Sequence, residues 1–444
     1  MRRFFIIFII AYSTSLAEEP VYSLVMCQAK ALERSERLSI AELEVGIARE
    51  RINEIQGIDM PKISAEAAYN VRDKHPSCVR KAPHPVGPQT SPQSQDEKRP
   101  SKIKTIVADK HGTTSKVSLV VPIFDFGYVD KLTLVQKSEV QATESERERV
   151  EQDVLLAVTA SYYMALESAK IESVVLQSIK VLSQQKSISQ DLYSVGFVTK
   201  NDVLGVQVQL AEREQELIQA QHNIENSLAT LNRLTEIDIK GVNELEDCQE
   251  NIDWSARLDD FLNKVNDNHP DLKTVLAKIQ AVEWAYGAIA AENYPDIKGF
   301  VNYNTSSDSY LLHKKWLHTG VGIEIPIFDG GIVASKLLQN KGRQKELSLQ
   351  YEATYQDICL QVKEAFFAVD SAYAKIPVAK QSIIHAEENL KIDRDLYQEG
   401  LIASDDLLND EERLSLARSN YFQALYDFKI AQARLAYAIG EIEI

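Results

Sequence analysis

The chain has 444 residues, of which 44% are hydrophobic and 26% charged, a globular composition with room for two or three cores. Its formal charge of −16 excludes nucleic acid as a partner, because phosphate backbones need a basic surface. Only 17 glycines and 13 prolines in so long a chain favour long helices.

Taken in order, Arg2 and Arg3, the apolar run Phe4–Ala11 and the small residues to Ala17 have the layout of a secretory signal. Residues 1–17 are therefore read as a signal peptide. The run is too short to span a bilayer. No later segment is apolar for long enough to make a membrane helix, so any insertion is by strands. Cys27 is a second candidate N-terminus, as a lipid-modified cysteine, but Met26 suits that processing poorly. Together with Cys78, Cys248 and Cys359 it suggests no disulfide framework. Val21 to about Gly57 has helical spacing, and Pro61 stops it. Lys62–Val71 then alternates as a strand, with Ile63, Ala65, Ala67 and Tyr69 on one face.

Asp73–Ser115 is rich in Pro, Ser and Lys, lacks periodicity, and is read as one long exposed loop. His75, Cys78 and His84 lie inside it; without ordered geometry or a fourth ligand, no metal site is expected. A strand over Ser115–Ile123 closes a hairpin with the first. Between Gly127 and Gly196 there is no proline or glycine. Leu155, Val158, Tyr162, Ala165 and Ala169 form one stripe there, and Val154, Val158, Ser161, Ala165 and Ser168 an adjacent one, as in a helix with neighbours on both sides. At 1.5 Å per residue such a helix extends on the order of 100 Å.

That helix stops in LYSVGFVTKNDVL (Leu192–Leu204). Gly196 supplies a left-handed stop with Phe197 folding back, and Thr199 caps the outgoing helix with Asp202 in capping-box spacing. Asp202–Leu234 returns, and Thr235–Asn268 is a connector with a short helix near Arg257–Val265. The plan then repeats. A helix over Asp271–Asn293 ends at Pro295, strands follow over Asp296–Thr305 and about Trp316–Ile327, and a second long helix follows. Pro377 is expected to kink it. The second stop is LYQEGLIASDDLL (Leu396–Leu408), with Gly400 and Leu401 ending one helix, Ser404 capping the next, and Asp405 and Asp406 favouring its positive end.

The two copies keep one offset. VPIFDFG at Val121–Gly127 and IPIFDGG at Ile325–Gly331 are 204 residues apart, as are Gly196 and Gly400. A coiled-coil arm that gains a residue loses its seam, so both arms must reach one level. Each half supplies two strands. Four strands cannot close a membrane barrel, which begins at eight, so closure needs a dimer or a trimer.

The paired P-I-F-D-x-G strand exits (Pro122–Gly127, Pro326–Gly331) and the tips Tyr193–Leu204 and Tyr397–Leu408 resemble the TolC-like outer-membrane efflux proteins. His269-Pro270-Asp271-Leu272 resembles the start of that family's second half. The resemblance covers nearly the whole mature chain. It implies a mostly α fold with a small β part: a long α-helical coiled-coil barrel plus a transmembrane β-barrel shared by a homotrimer. It implies an internal repeat, with residues 18–235 and 269–444 as the halves, 236–268 as connector, and tips at 193–204 and 397–408. It implies the outer membrane, with its lipid, as location and a large periplasmic portion. A periplasmic adaptor would dock on the tips at Gly196, Phe197, Val198, Gly400, Leu401 and Ile402, and an inner-membrane pump, proton-driven or ATP-driven, would supply energy. Asp202, Asp406 and Asp405 would line the periplasmic constriction. Pro122, Asp125, Gly127, Pro326, Asp329 and Gly331 would form the strand-to-helix junctions. Ile402 and Asn409 depart from the family pattern, which has a basic residue in some members and a second tip aspartate there.

Asp405, Asp406, Asp410, Glu411 and Glu412 cluster at the second tip. A solvated first turn accounts for such acids, but repeated around an axis Asp406 would form a ring that concentrates the field. Tyr69 and Tyr303 occupy matching strand positions and suit an interfacial belt or plain packing. Nucleotide-binding, zincin, nucleophile-elbow and C-x-x-C motifs are missing, so no enzyme and no cofactor is expected. The functional expectation is an exit duct for small molecules or, as in type I secretion, for proteins. The alternative is a soluble periplasmic coiled-coil scaffold, which would have no need of paired alternating strands.

Overall fold

The computed structural model describes residues 21–81, 102–247, 252–265, 269–399 and 401–442. The signal segment, His84, Cys248 and Gly400 lie outside the described residues. Two compact units emerge: a helical one of the residues up to Val45 with Gln141–Leu276 and those from Leu349 onward, and one of Gly46–Val140 with Ala277–Ser348 that holds the strands.

The helical unit begins with α1 (Leu24–Arg34), which breaks at Ser35 before α2 (Glu36–Gln56). Ser35 closes one helix through its N–H and opens the next by accepting from Leu38 N at 3.3 Å, so the single helix expected from Val21 is two. The first long hairpin is α3 (Tyr128–Ser194) with α4 (Lys200–Thr235). A five-residue helix, α5 (Leu258–Leu262), lies in the connector, and α6 (Pro270–Ala291) follows. The second hairpin is α7 (Ile332–Gln398) with α8 (Ser404–Ala438). Both α3 and α7 have 67 residues and start and stop 204 residues apart, as the length argument requires. α7 is helical without a break through Pro377.

Both sequence stripes of α3 are buried as far as Ala165, with Val154, Leu155, Val158 and Tyr162 nearly inaccessible, and Ser168 and Ala169 are half-buried. Val154, Val158, Tyr162 and Ala165 form one cluster with Cys27, Ala31, Leu228, Leu231 and Tyr426. Tyr162 Oη satisfies itself on the carbonyls of Tyr22 and Glu246, at 3.0 and 2.6 Å. Cys27 is a core thiol here, pushed up to about 11 by burial. The second cluster joins Val362, Phe366 and Val369 of α7 to Phe428 and Leu435 of α8 and to Leu272 of α6. Trp254 of the connector plugs it, with Phe261 and Phe366 at ring distances of 6.0 and 5.7 Å.

The strand-bearing unit contains β1 (Lys62–Val71), β2 (Ser77–Lys81), β3 (Lys102–Ile106), β4 (His111–Phe124), β5 (Asp296–Ser306) and β6 (Lys315–Glu324). Four strands make one antiparallel sheet in the order β1-β4-β5-β6, so the two predicted hairpins lie side by side. One cross-strand row reads Ala65, Val117, Tyr303, Leu317, and the opposite face reads Ser64, Ser118, Asn302, His318. The sheet therefore has an apolar and a polar face, and Ile63, Val117, Tyr303, Leu317 and Val321 of the apolar one are exposed. β1 and β6 are open edges.

The stretch Asp73–Ser115 differs from the single loop expected. β2 and β3 pair antiparallel within it, and β4 already begins at His111, opposite Val71. Arg72 N bonds Lys110 O at 2.8 Å and carries the β1–β4 ribbon towards β2–β3. These strands are five residues each, too short for periodicity to mark them.

Candidate docking and constriction site at the hairpin tips

At each strand exit an aspartate starts a long helix. Asp125 accepts from Gly127 N at 2.9 Å and Val129 N at 2.7 Å; Asp329 accepts from Gly331 N at 2.8 Å and Val333 N at 2.7 Å. These bonds occupy donors that a helix start leaves open. Those from Val333 and Gly331 hold the Asp329 carboxyl below its usual range. Gly127 and Gly331 both take positive φ, 75° and 84°. The residue before each does too, but there copy one has Phe126 where copy two has Gly330. A left-handed phenylalanine costs about 1–2 kcal/mol, and Phe126 offsets it by stacking on Tyr294 at 5.3 Å. Pro122, which has no N–H to give the ladder, sits at a register shift between β4 and β5; Pro326 lies just beyond β6.

At the first tip Gly196 has φ of 82°, and Phe197 N reaches back to Leu192 O at 2.9 Å. The capping box is complete: Thr199 N donates to Asp202 Oδ2 at 2.7 Å, and Asp202 N to Thr199 Oγ1 at 3.4 Å. The second tip repeats the stop, Leu401 N bonding Leu396 O at 2.9 Å. Its start is different. The cap position falls to Ala403, with no side-chain bond, and Ser404 is the first helical residue, its hydroxyl buried and unpaired. Serine is the better cap residue, but the 204-residue offset places alanine where Thr199 stands. Asp202 is thus committed to capping, whereas Asp406 is exposed and makes no hydrogen bond or ion pair among the described residues. Asp405 is exposed beside Gly205, where an added Cβ would lie 3.7 Å from its Oδ1.

Phe197 and Leu401, 204 residues apart, are 82% and 66% exposed. Val198 and Ile402, the next matched pair, line a cleft between the two tips. This cleft has a volume of about 930 Å³, with Leu182 and Ile188 on one wall and Tyr397 and Leu407 on the other. Four buried side-chain atoms among the described residues lack any partner: Gln185 Nε2, Ser189 Oγ, Tyr397 Oη and Ser404 Oγ. Gln185, Tyr397 and Ser404 line this cleft, and Ser189 is one turn along α3 from Gln185. Each such group costs about 1–3 kcal/mol if it stays dry and unpaired.

The acids at the second tip do not share one environment. Asp405, Asp406 and Glu412 are exposed, but Asp410 and Glu411 are 2% and 9% exposed, unlike a solvated first turn. Asp410 accepts from Asn389 at 2.7 Å and pairs with Arg413 at 2.9 Å. Burial pushes Glu411 up, and Arg394, paired at 3.0 Å, pulls it back in part. Arg213 of α4 reaches Glu412 of α8 at 3.4 Å and ties the two hairpins. The partners on α7 and α4 escaped the sequence because each looked like an ordinary solvated helix charge.

A family model described as outer membrane efflux protein matches residues 28–235 and 261–441. Outer membrane protein TolC of Salmonella enteritidis is 21% identical over 345 residues, covering 74% of this chain and 69% of TolC. The alkaline protease secretion protein AprF of Pseudomonas aeruginosa is 21% identical, covering 76% of this chain and 71% of its own. A CusC crystal structure superposes with a TM-score of 0.75 at 17% identity, covering 94% and 92% of the two chains. With most of both halves matched and the tunnel-type fold in place, the chain belongs to the outer membrane efflux protein family and resides in the outer membrane with a large periplasmic portion.

Proposed function

We propose that three copies of this chain form the passive exit duct of a tripartite exporter. The observation that carries this reading is the four-stranded sheet with two open edges and an uncovered apolar face. Open edges demand partners, and an exposed apolar face demands lipid. Pairing β1 of one copy with β6 of the next closes twelve strands. Residues 18–235 and 269–444 are then two repeats joined by 236–268, with four helical columns per copy.

The tips are the adaptor site. Phe197 and Leu401 present apolar contacts, and the cleft between Val198 and Ile402 holds polar groups that a docking segment would satisfy. Asp406, freed from capping, lines the constriction; Asp202 supports it structurally. Energy comes from an inner-membrane pump, which also selects the substrate, small molecule or protein. A soluble scaffold would leave the apolar sheet face without cover.

The test is direct. Outer-membrane fractions should yield trimers that dissociate on heating, and these should conduct in planar bilayers. Asp406→Ala should change conductance and weaken its block by multivalent cations, with Asp202→Ala changing them less. A heat-insensitive monomer, or no conductance, defeats the duct; unchanged block in Asp406→Ala removes the constriction role.

A further inference from the structure

The two ends of the sheet carry opposite charge patterns. At the end away from the helix junctions, Arg72, Lys74, Arg80, Lys104 and Lys110 of the first loop are all exposed. Lys314 and Lys315 of the β5–β6 loop are exposed beside them. Among the described residues three carboxylates, Asp73, Asp109 and Asp308, oppose these seven cations, and the last two are already engaged. Asp109 accepts from Ser309 N and Oγ at 2.5 and 2.8 Å, and Asp308 accepts from Asp109 N and Tyr310 N at 3.2 and 3.1 Å. With Thr113 N on Ser307 Oγ at 2.7 Å, these bonds tie the two loops into one surface. Arg72 turns one N–H to Asp109 O at 3.0 Å, while the six lysine and arginine side chains other than Arg72 form no ion pair among the described residues.

At the junction end three lysines are engaged instead, and Lys62 is exposed without an ion pair among the described residues. Lys298 pairs with Asp296, Lys336 with Glu292 at 2.6 Å, and Lys131 lies 5.1 Å over the Trp284 ring. Among the described residues, this rim thus carries six exposed cations without an ion pair in an otherwise acidic chain.

Exposed apolar side chains are interleaved with them. Leu312 is 91% exposed, and Tyr310, Trp316 and Val79 are exposed as well. A site for a small soluble anion needs walls and converging donors, not a protruding leucine. Cations mixed with exposed apolar groups, continuous with an uncovered apolar face, suit the boundary between acyl chains and charged headgroups.

We infer that this rim binds phosphorylated lipid headgroups, with Lys110, Lys314 and Lys315 meeting the phosphates and Leu312 entering the layer beneath. The inference rests on the barrel reading above. Each basic residue at an anionic surface contributes about fivefold in binding.

The full-length trimer in detergent should be incubated with bisphosphorylated lipid A or with its dephosphorylated counterpart, and retained lipid counted by native mass spectrometry. The wild type should retain the phosphorylated lipid about a hundredfold better, three lysines contributing about fivefold each. Lys110→Glu/Lys314→Glu/Lys315→Glu should abolish that preference, and millimolar inorganic phosphate should not displace the lipid. The matching Lys→Gln set should give the same order if charge reversal disturbs the loops. Equal retention of both lipids, an unchanged preference in the variants, or displacement by inorganic phosphate overturns the inference. A persistent wild-type trimer without preference overturns it and leaves the barrel standing; absence of any trimer overturns both.

Discussion

At the second tip Asp410 gathers Asn389 and Arg413, and the Asp393 carboxyl shares a hydrogen bond with it. At the first tip the matched positions, 204 residues earlier, are Val206 for Asp410, Gln185 for Asn389 and Ser189 for Asp393. Valine offers no acceptor, and there Gln185 Nε2 and Ser189 Oγ are left without partners. Val206 is instead fully buried with Leu182, Leu210 and Leu408. Duplication kept the backbone length of the two tips, because the arms must end together, but left their interiors free to diverge. At these matched positions the second tip satisfies its polar groups, whereas the first leaves Gln185 and Ser189 for something that arrives from outside.

Importing the first interior into the second is the harshest way to break this contrast. Asp410→Val strips Asn389 of its acceptor and Arg413 of its partner, and should loosen the α7–α8 end by about 2–3 kcal/mol. Amide hydrogen exchange there should accelerate about thirtyfold or more, with little change at the α3–α4 end. Adding Asn389→Leu should recover part of the loss, since it removes the orphaned group. Unchanged exchange in Asp410→Val would mean that the buried carboxylate does not hold the tip.

The caps can be exchanged with a smaller effect. Thr199→Ala should cost the start of α4 about 1 kcal/mol. Ala403→Thr should stabilise the start of α8 by about 0.5–1 kcal/mol by giving Asp406 a capping partner. The same substitution withdraws the Asp406 carboxylate from solvent, so Asp406→Ala should alter conductance less in that background than in the wild type. An equal conductance change in both backgrounds would show that capping does not compete with lining.

What could be read from the sequence, and what could not, follows from range. Gly196, Thr199 and Asp202 act within a few residues of one another, and their geometry is as the spacing implies. The strand faces and the arm lengths were legible too, because periods of two and a constant offset need no knowledge of partners. Ser404 misled because cap propensity is local while the offset that places Ala403 is global. Asp410 and Glu411 looked solvated because their partners Asn389 and Arg394 lie across the hairpin, 21 and 17 residues away. The β2–β3 pair was hidden because its strands are five residues each, too short for a period of two to stand out.

Gln185→Leu separates stability from docking. It removes an unpaired buried amide and should stabilise the first tip by up to about 1 kcal/mol. If that amide awaits a docking segment, the same change should weaken adaptor binding to the trimer about threefold or more, at about 0.6 kcal/mol for each threefold. Stabilisation without loss of binding would assign Gln185 to packing alone.

The smallest expected effect is on pH. Asp393 is raised above the usual carboxylate value first by its hydrogen bond to Asp410, then by desolvation, then by the charges of Asp410 and Asp406, with Arg413 opposing. Glu411 is raised by burial, with Arg394 and Arg418 opposing. A carboxyl whose folded pKa lies above its unfolded value contributes stability that is full below the unfolded value and lost as pH rises through the folded one. The second tip should therefore tighten as pH falls from neutral through the raised carboxyl values towards the ordinary range. The first tip, with Val206, Gln207 and Ser189 at the matched positions, has nothing there to titrate. Hydrogen exchange at the two tips, corrected for its intrinsic pH dependence, should show protection rising at the second tip and flat at the first. Parallel profiles would place the titration elsewhere, and Asp393→Asn, which keeps the donor and removes the proton equilibrium, should flatten the second profile towards the first.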